Sequence, residues 1–568
     1  MQEVLFPNLN EVVKEKSRIQ NKVSKNKWCI IPYVCDKISG NLLLAGELTT
    51  PKNLTLKLNL KGLHKIYLST INFRSKNLFY AKLSSDLGFS PISSPNRDKK
   101  HRWCPTEYAE EFLWKIADLT DEDLIIRKPN GAQLNACSLA WVRCVPITCE
   151  ELENFKDKNK DFNLNAHFDE DFYAEDDYRL ESNYLNRYFP LINSGVKEIS
   201  AEFSFSYGKA NVNGNLPVLK VDDIWQKKTG EYIKRKSKIY KKFISFAKEK
   251  GVKIFATNRM SVANFNLPYS NGHWTKTKFV SEHPEFYCET RLKQKTSVCS
   301  YAFKQVRDYV IENLINTVKL GFDGVSLIFH RGLLVGFEKP VIDRFNTLYP
   351  NVDPHILPAN DKRLNGVWRE IMTEFMRELR TALNNNFEKR PIVNVIVDYT
   401  PKTSFNYGLD INAWIKEDLI DGIGQGMMEV FEDLDGVLNK DGTIDLGKYQ
   451  EKINLQPITK RYHGQDLDKA LNGTKEYLEL TKGSSVKFYA MMPWPRALEY
   501  EKYADWKKAF NKLGVKDFLG WNANHLMLDV VEFNSALNDN KEFNKINHYR
   551  TLKLNGVDLS EFNPNWRG

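Results

Sequence analysis

The stretch from Gly321 to Gly332, GFDGVSLIFHRG, limits the fold more than any other part of the chain. An apolar run from Val325 to Phe329 starts beside an Asp-Gly turn and stops on His330 and Arg331, two groups costly to bury without partners. Glu338 follows a few residues on. Upstream, Tyr309 to Leu320 has the apolar spacing of an amphipathic helix. Helix, tight turn, strand and polar tip, in that order, form the unit of a parallel barrel, whose working side chains stand at the strands' C-terminal ends. The plainer reading is a buried strand whose end reaches solvent.

The unit recurs. Strands are expected over residues 198–206, 252–258, 325–330, 392–398, 419–425, 486–492 and 518–522, with a weak eighth at 297–300. Helices are expected over 232–250, 303–320, 364–384, 467–482 and 499–513. This alternation predicts an α/β fold, a (β/α)8 TIM-type barrel over residues 183–540. Residues 1–150 read differently. Short alternating runs such as Leu54 to Leu60 and Lys65 to Thr70, broken by Gly, Asn and Pro, predict an N-terminal β-sandwich of jelly-roll type. Such a module either binds sugar or only packs against its neighbour. Residues 151–182, rich in Lys, Asp and Asn, read as an acidic and polar linker without the spacing or glycine of a calcium loop. Residues 541–568 read as a strand-like extension that packs on the barrel or on the N-terminal domain.

A chain of 568 residues exceeds what one core supports, which agrees with this division. The net charge of +10 comes from 82 basic against 72 acidic residues. Its densest basic run, Lys234 to Lys242, carries Ile239, Phe243 and Phe246 at helical spacing, which makes the lysines a solvated face and gives no nucleic-acid motif. The eight cysteines form no CxxC pair and read as free thiols. No apolar stretch reaches the roughly 20 residues of a membrane helix. The start of the chain lacks a signal peptide's pattern, so the expected location is cytoplasmic, or secreted if a leader has been trimmed. No cofactor, metal, nucleic acid or membrane is expected, and the oligomeric state stays open.

If the barrel is right, its chemistry clusters just past the strand ends. Arg259 ends the second strand, His330 and Arg331 the central one, and Asp398 and Tyr399 the next. Glu429 follows the strand at 419–425, Trp494 the strand at 486–492, and Trp521 with Asn522 closes the last. With Trp274, these carboxylates, tryptophans, arginines and amides suit a sugar, which needs stacking on its C–H faces and hydrogen bonds to its hydroxyls. Cleaving a glycosidic bond takes two carboxyl groups, and Glu338, Asp398 and Glu429 are the candidates. Each has a structural alternative: Asp398 as a turn cap, Glu338 as a helix start before Pro340, Glu429 as an exposed loop residue. Glu202, within the first strand, is held in reserve. Asp323 and Asp421 precede glycines at strand starts, the wrong end of a barrel for chemistry, and read as structural turns.

Several segments together resemble the bacterial glycosyl-hydrolase-like family 10. They are Glu111 to Thr120, Glu282-His283-Pro284-Glu285, Tyr301 to Tyr309, Phe322 to Leu327 with Arg331, and Phe562 to Trp566. The resemblance spans most of the chain. It implies a TIM-barrel hydrolase with an N-terminal β-domain, acting on carbohydrate without a cofactor. One position departs: relatives place Asp where Ile328 stands, in a Leu-Asp-Phe/Tyr-x-Arg pattern, and an isoleucine transfers no proton. Such a chain either uses Glu338, Asp398 or Glu429 instead, or binds sugar without cleaving it.

Overall fold

The structure, a computed structural model, describes residues 2–22, 24–46, 49–71, 78–86, 89–93, 108–128, 137–152, 163–168, 196–205, 241, 243–260, 279, 282–329, 334–426, 428–432, 434–455, 459–463, 466–492, 500–520 and 547–554. Eight parallel strands close into a barrel. In chain order they are β1 (Asn163–Phe168), β2 (Glu198–Phe205), β3 (Lys253–Arg259), β4 (Gly324–Ile328), β5 (Ile392–Val397), β6 (Gly422–Gln425), β7 (Lys487–Met491) and β8 (Asp517–Gly520). Each pairs with its sequence neighbour, and β8 pairs back onto β1. Helices α1 (Lys304–Val318), α2 (Lys339–Leu348), α3 (Lys362–Asn386), α4 (Leu467–Thr481) and α5 (Tyr500–Asn511) lie in the connections.

Strand alternation sorts the residues into two faces. Ile254, Ala256, Val325, Leu327, Val393, Val395 and Ile423 join Leu314, Ile371, Phe375 and Leu379 of the helices in one large core. The alternate positions Thr257, Ser326 and Asn394, aligned across β3, β4 and β5, take the lumen face and are all buried.

Two expectations need correction. Residues 297–300 do not supply the eighth strand. Lys295–Cys299 pairs antiparallel with Tyr287–Glu289 as a two-stranded hairpin in the connection from β3 to α1. The eighth strand is β1, inside the segment read as linker, so the barrel begins before residue 183. Flanking Lys, Asp and Asn masked its short alternation of Leu164, Ala166 and Phe168. The other seven expected barrel strands all lie in the barrel. The basic run at 234–240 lies outside the described residues.

Before the barrel, two sheets, antiparallel but for the short strand Ile19–Gln20 beside Trp28–Cys35, share one core. The larger runs in the order Val4–Phe6, Trp141–Pro146, Leu63–Ile71, Tyr108–Asp118, Asn547–Leu554, Trp28–Cys35, Ile38–Ala45 and Cys137–Leu139. The smaller runs Leu54–Lys57, Asp123–Arg127, Leu78–Leu83 and Ser90–Ser93. Leu54, Leu56, Phe79 and Ile126 of the smaller sheet pack with Trp28, Ile66, Leu68 and Phe112 of the larger. The C-terminal strand Asn547–Leu554 therefore lies within the N-terminal sheet, between two strands that precede the barrel. Glu111, fully buried, fixes that junction. It accepts from Trp141 Nε1 at 2.7 Å, from Arg143 at 2.6 and 3.0 Å, and from Asn547 Nδ2 at 3.2 Å.

The N-terminal end of the barrel is stitched by charge. Asp323 accepts from Ile254 N–H at 2.9 Å, and Asp421 accepts from Val393 N–H at 2.7 Å, so each ties its strand to the one before. These two carboxylates are the structural turns that the sequence suggests. Arg380 of α3, buried, donates to Asp421 at 2.6 Å and to the carbonyls of Leu419 and Pro391. Lys487 reaches Glu198 at 3.1 Å and Asp517 at 3.2 Å.

Candidate functional site

The opposite end carries the candidate site. Asp398 stands directly after β5 and is 3% exposed. Its backbone is held on both sides: its carbonyl accepts from Tyr477 Oη at 2.9 Å and its N–H donates to Ser404 Oγ at 3.3 Å. Arg259 ends β3, also buried, in register with Ile328 of β4. Ile328 is in turn in register with Ile396 of β5. The position at which the resembled family carries Asp is thus a buried apolar spacer between the strands that bear Arg259 and Asp398.

Tyr399, expected to contact substrate, follows Asp398. Its ring is buried in the core beneath helix α4, with Lys469 Nζ 5.5 Å from the ring centroid. Its carbonyl accepts from Gln425 Nε2 at 3.0 Å, and Gln425 Oε1 accepts from Thr474 at 3.1 Å. A Cβ on Gly473 would lie 2.0 Å from the Tyr399 carbonyl oxygen, so only glycine lets α4 approach this closely. Gln425, Gly473 and Tyr477 therefore position the Asp398 turn from behind. Sequence reading missed them as a group because they come from β6 and α4, well downstream of it. The glycine inside an otherwise helical run was the legible signal.

Glu338 is 1% exposed at the start of α2. Its carboxylate accepts from Ser300 Oγ, from Gly336 N–H at 3.1 Å and from Glu289 N–H at 3.1 Å. Phe337 N–H donates to Glu289 C=O at 2.9 Å, and Trp368 Nε1 donates to Gly336 C=O at 3.0 Å. Gly336 is required here too, since a Cβ would meet Glu289 O at 2.3 Å. Burial pushes the Glu338 carboxyl above its ordinary value, against the pull of these donors. The arrangement is a lock between the hairpin after β3 and the connection after β4. The group is enclosed and its bonds join the two loops.

Glu429 lies on the strand Met428–Glu432, opposite Tyr462 of Thr459–His463, in the connection that leaves the C-terminal end of β6. Glu202 of β2 occupies the register position opposite Thr257. Trp274, His330, Arg331, Trp494, Trp521 and Asn522 lie outside the described residues.

Among the described residues, no group of three or more His, Cys, Asp or Glu is placed to hold a metal ion. Among the described residues, Cys29, Cys35, Cys137, Cys144, Cys149, Cys288 and Cys299 form no disulfide. No described helix is long and apolar enough to cross a membrane.

No family model matches the chain, and no curated protein does. The likeness to glycosyl-hydrolase-like family 10 therefore has no family model behind it. Solved structures do align. The glycoside hydrolase domain of PelA from Pseudomonas aeruginosa is 10% identical, over 64% of this chain and 95% of that one, with a TM-score of 0.30. An α-galactosidase from Thermus thermophilus is 11% identical, over 88% and 91%, at 0.32. A chitinase from Bacteroides thetaiotaomicron is 14% identical, over 66% and 96%, at 0.30. Identities and scores this low carry no argument, and the barrel rests on its own strand pairing.

Proposed function

We propose that the chain is a glycoside hydrolase acting on an oligo- or polysaccharide, with its site at the C-terminal mouth of the barrel and a β-sandwich before it. The observation that carries this reading is Asp398, a buried carboxylate at a strand's C-terminal end whose backbone is fixed by Tyr477 and Ser404. In such barrels chemistry gathers at that end. We assign one carboxyl role to Asp398 and the other to Glu429, with Glu202 next in line, and assign Glu338 to loop locking. One carboxylic acid protonates the glycosidic oxygen as the C–O bond breaks, and the other carboxylate activates water or attacks the anomeric carbon. A separation of about 5–5.5 Å between them gives retention, and about 6.5–9.5 Å gives inversion. Arg259 holds a substrate hydroxyl or steadies a carboxylate through its forked donors.

Ile328 favours a second reading, a carbohydrate-binding protein that does not cleave, because no proton-transfer group stands at that lumen position. One experiment separates the two. The protein is incubated with a panel of aryl glycosides and polysaccharides while sugar release and binding are both measured. Release of reducing ends that falls away in Asp398→Asn supports the hydrolase. Binding without release supports the second reading, and neither binding nor release overturns both.

A further inference from the structure

A groove of about 520 Å3 opens on the C-terminal side of the barrel, away from the lumen. It is lined by Arg291 and Lys293 of the hairpin turn after β3, Asn346 of α2, Asp353 and His355 before α3, and Leu446 beyond β6. All three connections leave C-terminal strand ends, so the groove borders the face on which Asp398 stands. Its frame is rigid. The buried Arg291 guanidinium donates to the carbonyls of His355 and Leu357 at 2.6 Å each and lies over the rings of Phe337 and Tyr449.

Lys293 is the informative residue. It sits in the left-handed region, at φ +62°, where the turn closes through Lys293 N–H to Thr290 C=O and Thr290 N–H to Gln294 C=O. Hairpins with this geometry normally place glycine there. The other non-glycine residues with positive φ among the described ones are Asp36, Asn59, Asp121 and Asp418, all of the short polar type that tolerates it. A long cationic side chain here is conformationally unfavourable, and it stands on the rim of a groove.

The groove has charge to match. Among the lining residues Lys293 is the exposed cation and Asp353 the single carboxylate, with the Arg291 guanidinium buried against two carbonyls, and His355 adds an imidazole whose ring stacks 5.3 Å from Phe337. Burial alone would raise the Asp353 carboxyl. Hydrogen bonds from the His355 N–H and imidazole, with the charges of His355 and Lys293, bring it below its usual range instead. The groove already stabilises one carboxylate.

We propose that this groove binds an oxyanion, and specifically the carboxylate of an acidic sugar in a chain that extends from the barrel mouth. The sugar part rests on the functional reading above; the oxyanion part does not. The test is direct binding by titration calorimetry, independent of turnover. The probes are tetragalacturonate, a neutral cellotetraose and inorganic phosphate, against wild type, Lys293→Gly and Lys293→Asn. Both variants suit the left-handed turn, so both should melt at or above the wild-type temperature. Tetragalacturonate should bind wild type more tightly than cellotetraose does and lose about tenfold or more in both variants. Binding of phosphate alone, weakened in both variants, keeps the oxyanion site and removes the sugar. Equal affinity for the neutral and acidic tetramers, unchanged affinity in the variants, or no binding of either anion by wild type overturns the proposal. A hydrolase that fails these titrations loses only the groove.

Discussion

The two ends of the barrel hold the same residue types in different ways. At the N-terminal end Asp323, Asp421, Glu198 and Asp517 sit at strand starts, and each meets a backbone N–H or a cation within about one strand's width. At the C-terminal end Asp398 is held by its backbone, with Tyr477, Ser404, Gln425 and Gly473 fixing the turn from behind. A carboxylate that accepts from a neighbouring strand's N–H contributes stability, whereas hydrogen bonds to a residue's main chain fix where its side chain starts. Glu338 marks the boundary: it lies on the C-terminal side of the barrel but is bonded through its oxygens, as the carboxylates of the N-terminal side are.

The largest contrast is expected at Asp398. Asp398→Asn should lower turnover about a hundred- to ten-thousand-fold and leave the urea midpoint near wild type. The mirror image is Arg380→Met at the stitched end. It should cost about 3 kcal/mol in urea unfolding, by leaving two carbonyls without their donor and Asp421 with only Val393 N–H and Arg390, while turnover per folded molecule stays unchanged. Gly473→Ala blurs the two ends. Its methyl group pushes α4 off the Tyr399 carbonyl, so it should cost about 1–3 kcal/mol and also lower turnover, read by unfolding and assay of the same preparation.

The smallest effect is a pH slope at Glu338. Its native pKa lies above the ordinary 4.5, so the folded state holds the proton more tightly than the unfolded chain. The stability contributed in this way is present below the unfolded value and lost as pH rises through the native one. From about pH 4 to about pH 8 the wild-type urea midpoint should therefore fall relative to that of Glu338→Gln, which does not titrate there. Parallel midpoints across that range would remove the burial argument.

Much of this was legible because barrel strands are short apolar runs bounded by turns, and seven of them are visible in that way. The Asp-Gly pairs at 323–324 and 421–422 marked the strand starts correctly, since an acidic side chain before a strand finds its neighbour's N–H. β1 was hidden because its alternation is only six residues long and its surroundings are polar. The place of Asn547–Leu554 was hidden for a different reason: alternation signals a strand but not which strands it joins. At the site, the polar residue after each strand was readable, but its bonding was not. Glu338 and Asp398 look alike in sequence, and only their neighbours from distant segments separate them.

The most direct test of the division between the two ends is a crystal structure of Asp398→Asn soaked with the oligosaccharide that the substrate panel identifies. The account predicts sugar at the C-terminal mouth, with a ring within hydrogen-bonding reach of residue 398 and of Arg259. Sugar bound at the N-terminal end, or bound at the mouth with residue 398 walled off from it, would contradict it.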